Sequence, residues 1–85
     1  MAQNPVNANQ VSIGATPTLL AAYNGNRMQL TINNAGGATV YLGPSGVATA
    51  TGLALANNAT LQLNGPGAIY GIVAASTNNV SFLET

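Results

Sequence analysis

Apolar residues recur at every second position in several short stretches of this chain. Met28, Leu30 and Ile32 alternate with Gln29, Thr31 and Asn33, Val40 and Leu42 with Thr39 and Tyr41, and Leu61 and Leu63 with Thr60 and Gln62. Val11 and Ile13 flank Ser12, and Val80 and Phe82 enclose Ser81. A period of two sends side chains to opposite faces of an extended strand, one face for a core and one for the outside. The stretch Ala68-Ile-Tyr-Gly-Ile-Val-Ala-Ala75 is apolar on both faces and is predicted to be the central, most covered strand. Thr18 to Tyr23 is ambiguous between helix and strand: it is short for a helix to nucleate alone, and the surrounding pattern favours strand.

Turn chemistry separates these strands. Asn24-Gly25 suits a type I′ hairpin, whose central residues both want positive φ. Gly43-Pro44-Ser45-Gly46 places Pro at the second turn position, and Gly65-Pro66-Gly67-Ala68 suits a type II turn. Asn33-Asn34-Ala35-Gly36-Gly37, Asn57-Asn58 and Thr77-Asn78-Asn79 read as the remaining connectors. Short strands spaced about ten residues apart by such turns imply an all-β fold, a small antiparallel β-sandwich or barrel of about seven to eight strands. Its core should hold Met28, Leu30, Ile32, Val40, Leu42, Leu61, Leu63, Ile72, Val80 and Phe82. Residues 1–10 are Asn/Gln-rich and broken by Pro5, so they read as an extended N-terminal arm before a single domain at 11–85.

Only Arg27 and Glu84 carry a side-chain charge among the 85 residues, and Lys, Asp, His and Cys are absent. Soluble domains are commonly about 25% charged. General acid–base and nucleophilic catalysis need titratable groups near the reacting atoms, and metal sites need clusters of His, Cys or carboxylates. The composition therefore argues against an enzyme, with no catalytic residue, cofactor or metal expected. One Arg cannot form the basic footprint of a nucleic-acid site, nor draw the chain to an anionic membrane. The N-terminal residues lack the basic and apolar regions of a secretory leader, so synthesis and use without export are expected. A domain this small has a thin margin of stability, and zero net charge disfavours a soluble monomer. Oligomerisation answers both, and it would also cover sheet edges that have no Lys to defend them.

The candidate site residues are therefore interface residues. Arg27 and Glu84 form either a contact across a subunit boundary or an ion pair inside one subunit. Tyr41 lies on the polar face of its strand and is the aromatic suited to an interface, whereas Tyr70 belongs with the core. Asn4, Pro5 and Val6 lie in the arm, whose backbone is open to β-addition on a neighbour, with Val6 as apolar anchor. Removing residues 2–9 is expected to leave the domain folded while weakening assembly. Thr49-Ala50-Thr51 is a lone Thr-x-Thr triplet where ice binding needs a repeated array, and the sequons at Asn58 and Asn79 are what an Asn-rich chain produces by chance.

Asn26, Arg27, Leu30, Ile32, Asn33 and Asn34 begin a longer pattern, followed by Val40-Tyr41-Leu42-Gly43, Ser45-Gly46-Val47, Gly52 and Leu55. It continues through Gly65-Pro66-Gly67-Ala68, Tyr70, Val80-Ser81 and Leu83-Glu84. In these residues the chain resembles small virion proteins of tailed bacteriophages, of the head-decoration or capsid-associated type. The resemblance implies a multimer on the capsid shell, with trimers at three-fold positions as one form, and the major capsid protein as partner. It implies a capsid decoration (cement) protein on the virion exterior, made in the host cytoplasm. The alternatives are another virion component in the tail, neck or head fibre, and a lectin-like adhesion module on the particle surface.

Overall fold

A computed structural model describes residues 7–85. These residues hold eight strands and no helix: β1 (Asn7–Ile13), β2 (Thr18–Ala21), β3 (Gln29–Asn34), β4 (Val40–Gly43), β5 (Leu53–Leu55), β6 (Thr60–Asn64), β7 (Ile69–Ile72) and β8 (Asn78–Glu84). They form two four-stranded antiparallel sheets, one ordered β1-β8-β3-β6 and the other β2-β7-β4-β5. The expected all-β sandwich is what the chain builds. Every connection except β4–β5 passes from one sheet to the other. Sequence neighbours therefore become core partners across the sandwich rather than hairpin partners within a sheet.

The period-two pattern selects the inner faces. Ile13, Leu30, Ile32 and Val80 from the first sheet meet Leu20, Ala21, Val40, Leu42 and Leu55 from the second, with Val73 just after β7. Val11, Leu61, Leu63 and Phe82 pack around this centre, half covered. At about 25 cal/mol per Å² of apolar area removed from water, these residues supply most of the drive to fold.

Met28 departs from the expected core and is 73% exposed. The cause is a β-bulge. The N–H groups of both Met28 and Gln29 donate to the Thr85 carbonyl, at 2.9 and 3.1 Å, and Thr85 N–H returns a bond to Gln29 O at 3.0 Å. Two residues thus oppose one, and the alternation slips by a position. Leu30 and Ile32 stay inward, Met28 is thrown outward, and Arg27 enters the interior.

Several connectors also differ from their sequence reading. Asn24-Gly25 makes no hairpin, because β2 and β3 belong to different sheets. Instead Arg27 N–H bonds Asn24 O at 3.0 Å and Asn26 N–H bonds the Asn24 side chain at 3.1 Å. Near Pro44 the turn bond runs from Val47 N–H to Pro44 O, one residue later than expected. In the stretch 65–68 the left-handed glycine is Gly65, with φ 106°, and not the Gly67 of a type II turn. Strand β5 escaped the reading, since three residues show too little alternation to register. Residues 7–10, assigned to the arm, form the first half of β1 and pair with β8 from Asn7↔Glu84 onward.

Candidate interaction surface

The two charges meet inside the subunit. Arg27 Nη1 donates to Glu84 Oε2 at 2.8 Å, with the two side chains 1% and 11% exposed. Arg27 also donates from Nε to Gly65 O at 3.0 Å, from Nη1 to Ala22 O at 3.2 Å, and from Nη2 to Gly67 O. The guanidinium thereby ties the segment after β2, the β6–β7 turn and the end of β8 together. A planar fork with five donors suits such a hub, where a Lys ammonium would be a poorer match. Of the two readings of this pair, the geometry supports the bond within one subunit. Arg27 and Glu84 therefore do not offer their charges to an interface.

An uncharged polar cluster closes the opposite end of the same two strands. Asn34 ends β3 and Asn78 begins β8, and both are buried. Asn34 Nδ2 donates to Ala38 O at 2.7 Å and to Leu55 O at 2.9 Å, while Asn78 Nδ2 donates to Asn34 Oδ1 at 2.8 Å. Gly36 N–H completes the Asn34 oxygen at 3.3 Å, and Ala38 N–H bonds Asn78 Oδ1 at 3.2 Å. Gly36 must stay bare, because a Cβ there would lie 2.2 Å from Asn78 Oδ1. No buried side-chain nitrogen or oxygen among the described residues lacks a partner. Both asparagines lie in stretches with the local pattern of connectors, and Asn-rich turns give no local sign of a buried role.

With both charges turned inward, the outer faces carry only neutral side chains. The outer face of the first sheet is mostly polar, with Leu83 as an exposed apolar exception. Gln10, Ser81, Asn33 and Thr60 stand in one row across all four strands. Gln10 Nε2 donates to Ser81 Oγ at 3.4 Å and Asn33 Nδ2 to Thr60 Oγ1 at 3.0 Å. The adjacent row is Ala8, Leu83, Thr31 and Gln62.

The outer face of the second sheet is apolar and aromatic. Tyr41 stands opposite Ile72 and Ala54, and Tyr70 opposite Leu19 and Gly43. Leu19 is 43% exposed, and both tyrosines are half-buried. Val47, from the loop between β4 and β5, folds against this side. Glycine at position 52 permits the approach, since a Cβ there would lie 2.7 Å from Tyr41 Cβ and 2.8 Å from Val47 Cγ2. Tyr41 is placed on an outer face as its strand pattern indicates. Tyr70 corrects the reading that put it in the core: the inward position in β7 belongs to Gly71, whose missing side chain faces Val40 and Ile13.

Asn4, Pro5 and Val6 lie outside the described residues. Comparison of the chain with protein-family models, with curated proteins and with solved structures returns no match.

Proposed function

We propose that this chain is a non-catalytic structural subunit, a capsid decoration protein that binds and reinforces an assembled phage head from its exterior. The observation that carries the reading is the fate of the two charges. Arg27 and Glu84 neutralise one another inside the sandwich, so the surface presents no side-chain charge to solvent. Such a surface suits a subunit that spends its working life covered by copies of itself and by a lattice. The resemblance of its residue pattern to small virion proteins supports the same reading. A subunit that binds only the assembled shell stabilises it by its binding free energy, and a multimer that bridges several shell proteins multiplies the effect. The contact depends little on ionic strength, because there is little charge to screen.

The test is the composition of purified phage heads separated from their tails. Mass spectrometry should find this chain in the heads at a fixed ratio to the major capsid protein, and purified chain should rebind heads stripped of it. A chain confined to the tail or neck fraction, or absent from the particle, overturns the proposal.

A further inference from the structure

β6 is the last strand of the first sheet and pairs on one side only, with β3. Two bonds fix the hydrogen-bonding phase of the β3–β6 ladder: Asn34 N–H to Ala59 O and Gly65 N–H to Met28 O, both at 3.0 Å. Bonded rungs recur every second residue in an antiparallel pair, so Ile32↔Leu61 and Leu30↔Leu63 are the bonded rungs between them. The N–H and C=O groups of Thr60, Gln62 and Asn64 consequently point away from β3, along the outer edge of the sheet. These three residues are exposed. No charge, Pro or bulge interrupts β6, although edge strands are commonly defended by one of these devices.

The other edges are less complete. On β1 the outward N–H of Gln10 is already taken by Asn9 Oδ1 at 2.8 Å. β2 shifts register between Leu19 and Ala21, and β5 has three residues.

We infer that β6 pairs antiparallel with β6 of a second copy about a two-fold axis through Gln62. The inference rests on the reading of the chain as an assembling subunit and names the surface it would use. The edge is self-complementary. With Gln62 opposite Gln62, Thr60 faces Asn64 of the second copy at each end, and all three rungs fall in the bonded phase, about six backbone hydrogen bonds. On the outer face the paired side chains are amides and a hydroxyl, which donate and accept without repulsion. On the inner face Leu61 meets Leu63 of the second copy. Both leucines are half-covered in one subunit. The product is a continuous eight-stranded sheet across two copies, and its symmetry makes a dimer the building unit rather than the trimer that the resemblance implies.

The chain contains no cysteine, so Gln62→Cys introduces one thiol. Directly opposite residues on a bonded rung have Cα atoms about 5.5 Å apart, within disulfide reach. The full chain with this change should form a disulfide-linked dimer under mild oxidation at micromolar concentration, while the control Gln10→Cys on the β1 edge should not. Gln62→Pro removes a donor aimed at solvent and leaves the β3 ladder intact. It should keep the wild-type circular dichroism and raise the dimer dissociation constant roughly tenfold to a hundredfold in sedimentation velocity. If Gln62→Pro fails to fold, the cross-linking pair decides alone. A wild-type monomer, or a multimer whose Gln62→Cys variant does not cross-link faster than the control, overturns the β6 pairing. Rebinding of the same preparations to stripped heads reports on the proposed function separately, since a chain that decorates heads without cross-linking refutes only the pairing.

Discussion

Arg27 offers the most demanding test of how this small fold is held. Its side chain donates to one carboxylate and three backbone carbonyls from three parts of the chain. Arg27→Ala leaves the Glu84 carboxylate buried without its partner, a loss of about 3–5 kcal/mol, and strands the three carbonyls as well. We expect a cost near the upper end, about 5 kcal/mol. A domain of this length has roughly 4–13 kcal/mol in total, so the variant should sit close to the unfolding threshold. Glu84→Gln keeps an acceptor oxygen facing Nη1 but leaves the buried guanidinium without its counter-charge, about 3 kcal/mol at the low end for a broken buried pair, which lowers Tm by about 12–24 °C at this size. The assay is urea unfolding followed by far-UV circular dichroism, at one fixed protein concentration because association would shift the midpoint. The swap Arg27→Glu with Glu84→Arg separates an ion pair from a hub. If attraction between the charges were the whole effect, the swap would restore stability. A carboxylate at position 27 cannot donate to the carbonyls of Ala22, Gly65 and Gly67, so no rescue is expected. A loss below about 1 kcal/mol for Arg27→Ala, or full recovery in the swap, would refute the reasoning.

Asn34→Ala should cost about 2–4 kcal/mol in the same assay, because it removes two donors and an acceptor, strips Leu55 O of its side-chain bond and leaves Asn78 Nδ2 and Ala38 O only the 3.4 Å bond between them. Met28→Gln should change stability by less than about 0.5 kcal/mol, despite its place in an alternating strand, because the bulge puts the side chain in solvent. Deletion of residues 2–9 should lower Tm measurably, contrary to what an independent arm would show, because it removes the rungs Asn7↔Glu84, Ala8↔Leu83 and Asn9↔Phe82 from β1. An unchanged melting curve would count against the pairing of that end of β1.

The class of fold and most of its inner face follow from alternation along the chain. The alternation in Leu30 and Ile32, Val40 and Leu42, and Val80 needs no knowledge of topology, because a strand with one apolar face must turn that face from water whichever strand lies beside it. The same local logic placed Tyr41 on an outer face, and the composition alone left the chain almost without charge. The sequence alone could not say which strands would pair. Asn24-Gly25 is a good hairpin turn in isolation, yet the chain crosses there to the opposite sheet, since pairing is chosen by the burial of all eight strands together. Nor could it say where polar residues would be worth burying. Arg27 shares the parity of the outward Gln29 and Thr31, and only the bulge against Thr85 turns it inward to meet Glu84, 57 positions away. Asn34 and Asn78 carry the local signature of turns and become a buried cluster because β3 and β8 bring them together with the Ala38 and Leu55 carbonyls. Periodicity is a property of neighbours in the chain and is legible there; satisfaction of a buried polar group depends on partners supplied from elsewhere, and only the tertiary structure decides which those are.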